Sequence, residues 1–493
     1  MDNSAPLMLS VSGARGIVGK SMTPQVTACF AYAFGQHICR GAPGVDRPLI
    51  CLGRDSRPSG QTLLDAAATG LHAAGCNAVD LGIVATPTTG VMIQHLSAQG
   101  GMEITASHNP SQWNGLKCLD GSGAAPPALE AATIIESYRA VIDAGHFDDL
   151  SNSAEAAAQD HTRKRNDNAT DVHIRRVLAL VNVEAIAAAK FTVALDSING
   201  AGSRGGKLLL DALGVHVHHL NAEPDGNFAH TPEPIAENLT TLCDTVRRAG
   251  DCACGFAQDP DADRLAIVDE HGVYIGEEYT LALCALRALE RCQQQATDDQ
   301  PGPVLATNLS TSRMIDDIAA RFPGARVLRT AVGEANVVHA LREHGKAALM
   351  GGEGNGGVIV PNVCWVRDSL ISMALVLDLL AARGAAQPLS AIVQHDIPRY
   401  TVLKRKFDLA AIGGRDALPH MFAAIKAQPG IKHCYDSDGV RLDFENGWVH
   451  LRPSNTEPIV RLIAEAQNDE AARSLIATTA RAAGLPVASQ RGR

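Results

Sequence analysis

A serine hydroxyl at position 107 is followed by an imidazole, His108, and ten positions later by the amine of Lys117. The surrounding run is Gly100-Gly101-Met102-Glu103-Ile104-Thr105-Ala106-Ser107-His108-Asn109-Pro110, with Asn114-Gly115-Leu116-Lys117 beyond it. Met102 and Ile104 read as a strand end, small polar residues turn the chain, and Pro110 keeps a helix from absorbing the loop. Serine is a poor nucleophile unless a base or a metal activates it. Ordinary turn chemistry, with Ser and Asn bonding the nearby backbone, competes with a catalytic reading of this loop taken alone.

A second stretch, Gln258-Asp259-Pro260-Asp261-Ala262-Asp263-Arg264, runs into the apolar Leu265-Ala266-Ile267-Val268. Three carboxylates at alternate positions repel one another, and without a cation some must take up protons. Three oxygen ligands plus one further oxygen suit a hard divalent ion, most simply Mg²⁺. Asp259, Asp261, Asp263 and Glu270 also fall at EF-hand positions 1, 3, 5 and 12. That reading fails, because position 6 is Arg264 where glycine is required and a strand follows. A solvated acidic turn is the plain alternative.

Two further loops carry chemistry. Arg452-Pro453-Ser454-Asn455-Thr456-Glu457-Pro458 offers a planar guanidinium fork and three short donors, Ser454, Asn455 and Thr456, with Arg461 close by. This set suits a dianionic phosphate, against a plain loop with two structural arginines. Gly351-Gly352-Glu353-Gly354-Asn355-Gly356-Gly357 is no dinucleotide fingerprint, since no helix pattern opens at its end. Its glycines leave room for a sugar ring, with Glu353 and Asn355 bonding hydroxyls; a mobile glycine turn is the alternative.

The elements that must hold these loops follow one order. Leu49–Arg57, Phe191–Gly200 and Val304–Ser312 each pass from apolar strand to small-polar loop, and helical patterns follow at 61–74, 205–213 and 314–321. Strands alternating with helices imply mainly parallel sheets, and the recurrence suggests three related α/β units. Polar stretches at 145–170 and 293–303, and a third break near Asp396-Ile397-Pro398-Arg399, divide the chain into 1–150, 170–295, 300–395 and 396–493. The last part reads as α+β, with strands at 440–444 and 448–451 flanking the hairpin signal Asn446-Gly447.

Composition sets bounds on function. A chain of 493 residues is too long for one core. Its 46% hydrophobic, 19% charged and 4% aromatic content fits α/β layers built from Ala, Val, Leu and Ile. A net charge of -10 argues against a sequence-independent nucleic-acid binder. Twelve cysteines lack a repeated spacing, so Cys252 and Cys254 read as core residues and the thiols suit a reducing cytoplasm. No signal peptide is expected, and the apolar run 370–380 is short and carries Asp378, so it reads as a buried helix.

The four loops, in this order and with one per domain, resemble those of the α-D-phosphohexomutase superfamily, which includes phosphoglucosamine mutases and phosphomannomutase/phosphoglucomutases. The resemblance spans nearly the whole chain. It implies three similar mixed α/β domains and a C-terminal α+β domain related to the TATA-binding-protein fold, arranged around one central cleft. It further implies a phosphoserine at Ser107 whose phosphate joins Asp259, Asp261 and Asp263 on Mg²⁺. Transfer to a hexose phosphate would give a sugar 1,6-bisphosphate that turns over in the cleft, so that phosphate moves between O6 and O1. Arg15, His108 and Lys117 match family positions near the hydroxyl, with Lys117 and His108 sharing acid/base and charge-stabilising work. Arg264 would offset charge on the transferring group. The 452–456 loop would hold the non-reacting phosphate.

Several details bear on the sugar. Ser10–Gly19 resembles the opening loop of phosphoglucosamine mutases, whereas Asn455 stands where many of those have Gly. Asn355 replaces a common Ser, Gly357 stands where a His often sits, and Pro260 replaces a common Gly. Glu334 places a carboxylate where glucose and mannose enzymes often have His, and an acid near the sugar favours an ammonium at C2. The expectation is therefore glucosamine 6-phosphate to glucosamine 1-phosphate, with phosphomannomutase/phosphoglucomutase activity as the alternative. A silent sugar-phosphate sensor and a metal-dependent phosphatase are alternatives of other classes. The expected partners are a hexose phosphate and, for assembly, none or a second copy of the chain; neither nucleic acid nor membrane is expected.

Overall fold

Three of the four sheets in the computed structural model, which describes residues 6–145, 163–295, 301–454 and 458–486, repeat one plan. In the first, Leu49–Arg54 lies between Asn77–Ile83 and Gly100–Ile104, parallel to both, and Trp113–Asp120 runs antiparallel to Gly100–Ile104. Thr192–Asp196, His216–Leu220, Cys252–Gln258 and Leu265–Asp269 repeat the arrangement. So do Val304–Asn308, Arg326–Thr330, Ala348–Glu353 and Gly357–Ile359. Strands such as Gly100–Ile104 and Leu265–Asp269 are buried along their whole length. This burial accounts for their largely apolar character, broken only by Glu103 and Asp269, as expected where helices cover both faces of a sheet.

The repeated plan explains where the chemistry lies. In each unit the third strand reverses into the antiparallel fourth, and that reversal is the serine loop in the first unit, the acidic loop in the second and the glycine loop in the third. The fourth sheet is antiparallel throughout, in the order Thr401–Asp408, Ile459–Ala466, Gly447–Pro453, Val440–Phe444, His433–Tyr435. Its phosphate-binding candidate again connects two antiparallel neighbours, Gly447–Pro453 and Ile459–Ala466. At the hairpin signalled by Asn446-Gly447, Phe444 pairs with Gly447, so Glu445 and Asn446 make the turn and Gly447 opens the strand.

The first sheet is extended at both ends. Gly13–Ile17 pairs with Trp113–Asp120 and sets Arg15 opposite Gly115. At the other edge Arg163–Arg165, within a stretch expected to be a polar connection, forms a strand parallel to Asn77–Ile83. Its guanidinium at Arg165 lies 3.5 Å from Asp80, so a charged segment with little to bury is held at a sheet edge by pairing and by charge.

The run 370–380 is a buried helix, Ser369–Arg383, as expected, with Asp368 capping it through Leu370 N–H at 2.8 Å. Asp378 inside it accepts from Arg287 at 2.8 Å and Arg291 at 3.1 Å. Leu281, Cys284 and Leu377 share the largest core cluster. Nine of the twelve free cysteines are buried, Cys252 and Cys254 among them. Among the described residues no helix is long and apolar enough to cross a membrane.

Candidate active site

Ser107 is buried and sits at φ +50°, the left-handed region that a non-glycine residue adopts only when its surroundings hold it there. The holding group is the pair Asp55 and Arg57. Thr105 Oγ1 donates to Asp55 Oδ2 at 2.8 Å and itself accepts from Ser107 N–H at 2.9 Å. Arg57, fully buried, donates to the carbonyls of Ser107, Asn109 and Pro110 at 2.7 Å each and to that of Trp113 at 2.9 Å. Its Nε is fixed by Asp55 at 2.9 Å, and its guanidinium carbon lies 4.9 Å from the centre of the Phe228 ring. One planar fork thus donates to four carbonyls of the turn, of which that of Pro110 also accepts from Trp113 N–H at 3.0 Å.

The serine and the acidic loop meet. Ser107 Oγ lies 3.3 Å from Asp259 Oδ2 and 3.3 Å from His108 Nδ1. The carboxylates of Asp259, Asp261 and Asp263 offer one oxygen each within 4.8 Å of one another, and all three residues are buried. Burial, followed by the Asp261 and Asp263 charges, pushes the Asp259 carboxyl well above the usual range. Burial acts the same way on Asp263, yet Arg367, Lys117 and Arg264 outweigh it and hold that carboxyl low. Asp261 Oδ2 accepts from Thr86 Oγ1 at 2.6 Å, and Asp263 Oδ2 from Lys117 at 2.9 Å and Arg367 at 2.6 Å. Among the described residues, Oδ1 of Asp261 and Oδ1 of Asp263 are buried without a hydrogen-bond partner, the latter 3.8 Å from Arg264 Nε. Orphaned buried carboxylate oxygens beside a third carboxylate are what a hard divalent ion requires, so the residues fit Mg²⁺.

The other predicted residues gather around this point. Arg264, next to His108, holds the imidazole neutral together with burial and Arg15, lowering its pKa to about 2. Arg15 Nη1 donates to Asn109 Oδ1 at 3.4 Å. Burial opposes the charge on Lys117, but Asp263 and Glu334 prevail and keep its amine above the ordinary range. Glu334, first residue of the helix Glu334–Arg342, lies 3.7 Å from Lys117 and 3.2 Å from Arg367 Nε. Glu353 accepts from Asn308 at 2.8 Å and from Arg367 at 3.0 Å, with Asn355 at 3.5 Å.

Glu353, Asn355, Arg452 and Arg461 line one cavity of about 180 Å³, joined there by Lys404 and Lys406. Arg452 Nε is anchored on Asp438 at 2.9 Å, while its Nη2 is buried with no hydrogen-bond partner among the described residues. Ser454 is buried at the rim of the same loop, and Asn455 and Thr456 lie outside the described residues. Burial pushes the Glu278 carboxyl on the cavity wall up to about 8, against the pull of Lys404.

Sequence reasoning missed five contributors: Asp55, Arg57, Arg367, Lys404 and Lys406. Asp55-Ser56-Arg57 did carry a signal, an opposite-charge pair at the end of a buried strand. For Arg367 there was none, because its partners lie at positions 263, 334 and 353.

Comparison with known proteins agrees with this architecture. Models of the phosphoglucomutase/phosphomannomutase family match in sequence order: alpha/beta/alpha domain I over residues 8–143, domain II over 171–272, domain III over 277–400 and the C-terminal domain over 406–482. A phosphoglucomutase/phosphomannomutase of Thermococcus kodakarensis is 36% identical over 465 residues, covering 94% of this chain and 95% of that protein. A protein of Methanopyrus kandleri named "Probable phosphoglucosamine mutase" is 34% identical with the same coverage. The crystal structure of a phosphoglucomutase/phosphomannomutase family protein from Burkholderia thailandensis superposes with a TM-score of 0.77 at 26% identity, covering 97% of this chain and 98% of that one. With all four domains matched in order, the chain belongs to the phosphoglucomutase/phosphomannomutase family and is a phosphohexomutase.

Proposed function

We propose that Ser107 carries the phosphoryl group this mutase passes to and from its sugar, and that Asp259, Asp261 and Asp263 hold Mg²⁺ beside it. The observation that carries this reading is the approach of Ser107 Oγ to Asp259 within 3.3 Å, inside a carboxylate cluster with two orphaned oxygens. A bound Mg²⁺ would supply charge neutralisation on the transferring phosphoryl oxygens.

The chain's own groups do the rest. Arg57 and Asp55 hold the loop so that Ser107 Oγ faces the acidic cluster. Phosphoserine gives its phosphoryl to the free hydroxyl of a hexose monophosphate, O1 or O6, and the proton of that hydroxyl leaves to a nearby base. His108 and Lys117 share the work of passing that proton on to the released Ser107 oxygen and steadying the phosphoryl oxygens, with Asp263 holding the Lys117 amine charged. The sugar 1,6-bisphosphate so formed turns over, and Ser107 takes back the phosphoryl from the other end. Arg452, Ser454 and Arg461, with Asn455 and Thr456, grip the phosphate that is not reacting. Glu353 and Asn355 bond sugar hydroxyls. Both orientations must satisfy the same grip, which suits a fork of guanidinium donors over a shaped slot.

For the sugar, we propose glucosamine phosphate. Two carboxylates, Glu334 and Glu353, stand together on the sugar side of this cluster, a charge that favours an ammonium at C2. The second reading is a phosphomannomutase/phosphoglucomutase, favoured because Arg367 already occupies Glu334 from both its side chain and its backbone N–H. Comparing kcat/KM for glucosamine, glucose and mannose 6-phosphates decides between them. Glucosamine phosphate should rank first; if it ranks last, the role given to Glu334 is wrong.

A further inference from the structure

Five charged side chains converge at a junction of the three repeated units. Lys117 comes from the first unit, Asp263 from the second, and Glu334, Glu353 and Arg367 from the third. Arg367 is the hub. Its Nη2 donates to Asp263 Oδ2 at 2.6 Å and its Nη1 to Glu353 Oε2 at 3.0 Å, while Nε lies 3.2 Å from Glu334 Oε2. Its backbone N–H adds a bond to Glu334 Oε1 at 3.3 Å. The residue is buried, so these contacts are weakly screened.

Two features make arginine specific here. Only a planar fork presents donors on separate edges to carboxylates from different elements; a lysine amine is a single point of charge. Space for the stem comes from Gly357, where an added Cβ would lie 2.2 Å from Arg367 Cδ. The missing side chain at 357 and the guanidinium at 367 are therefore one arrangement.

We propose that Arg367 is a positioning residue that ties the metal-loop carboxylate Asp263 to the sugar-side carboxylates Glu353 and Glu334, so that it sets both the metal affinity of the acidic loop and the orientation of the sugar loop. The inference rests on the reading of Asp259, Asp261 and Asp263 as metal ligands. Its sign follows from charge. A guanidinium beside Asp263 competes with a divalent ion for the same carboxylate, so Arg367 holds metal affinity down. On the other side it fixes Glu353 against Asn308, and losing it frees that carboxylate to turn away from the sugar.

The test is Mn²⁺ titration of the full-length enzyme, followed by the EPR signal of the free ion, alongside hexose phosphate kinetics and thermal unfolding. Arg367→Met should bind Mn²⁺ about tenfold tighter or more, as removal of a nearby unit charge requires, while KM for the hexose phosphate rises at least tenfold. Arg367→Lys should recover only part of both changes. Gly357→Ala, which leaves Arg367 in place but takes its space, should move both quantities in the same direction as Arg367→Met. Unchanged or weaker Mn²⁺ binding in folded Arg367→Met overturns the proposal, as does an activity loss that merely follows a lowered Tm. Should Arg367→Met fail to fold, Arg367→Lys and Gly357→Ala decide by the same criteria. Wild-type enzyme that binds no Mn²⁺ at all would instead defeat the metal reading itself.

Discussion

Ser107 and Asp259 are 152 positions apart in the chain, and the serine Oγ stands 3.3 Å from the aspartate Oδ2. They come from the same place in two copies of one structural plan: the turn from the third strand into the antiparallel fourth. A repeated α/β unit thus presents a hydroxyl from one copy to carboxylates from the next, while the third copy's glycine turn, at the same place in the plan, is the one proposed to meet the sugar.

Chelation should stop turnover. With EDTA the three buried aspartates are left to repel one another, and one of them must stay protonated, as the raised Asp259 carboxyl already indicates. Activity should vanish and return on adding Mg²⁺. The ion should also raise Tm, because it binds the folded state alone. Full activity after exhaustive chelation, checked by metal analysis, would exclude a metal-dependent transfer.

Arg57→Met should cost activity and stability together. Four carbonyls and the Asp55 carboxylate lose their shared donor in a dry site, and breaking such a buried pair costs about 3–5 kcal/mol. Denaturant unfolding measures the loss. Arg57→Lys, which keeps the charge but not the fork, should fall in between for stability and near the Met variant for kcat.

Glu278 should set a pH dependence in the sugar-phosphate binding proposed for this cavity. Burial pushes its carboxyl up to about 8, so ionisation above that pH should add negative charge to the wall of the cationic cavity. KM for the hexose phosphate should therefore rise as pH passes 8, and Glu278→Gln should flatten that rise. The sign is the same for folding: a carboxyl raised on folding contributes stability below its unfolded value, lost as pH climbs to 8. His108, with its pKa near 2, should add no ionisation between pH 5 and 8.

Asp378 should matter for folding and not for chemistry. It is buried in the helix Ser369–Arg383 and accepts from Arg287, Arg291 and Asn182 N–H. Asp378→Ala leaves Arg287 with Glu290 alone and removes the acceptor of the part-exposed Arg291, and should destabilise by about 3 kcal/mol. KM should be unchanged in whatever fraction stays folded.

The loops were legible in the sequence because each concentrates residue types that a purely structural turn does not need. Asp259, Asp261 and Asp263 are the clearest case: three alternating carboxylates have no comfortable solution without a cation, and the fold buries all three. Strand and helix alternation likewise foretold three related units, since buried parallel strands show up as apolar runs. Partnerships were not legible. Arg57 lies within a segment read as an ordinary strand-to-loop passage, and its role depends on carbonyls 50 to 56 positions away. The acid at Glu334 suggested a free carboxylate near the sugar, whereas folding sets Arg367 and Lys117 against it. Charge patterns in sequence show which groups exist, and only the fold shows which have already found each other.

Following phosphate on Ser107 tests the central claim most directly. Enzyme loaded from a hexose bisphosphate carrying labelled phosphate should show one added phosphoryl on Ser107 by intact mass and peptide mapping. A chase with unlabelled hexose monophosphate should remove the label at the turnover rate. Ser107→Ala should take up no label and lose activity by at least about a thousandfold. Label at another residue, or near-normal isomerisation by Ser107→Ala, would contradict the account.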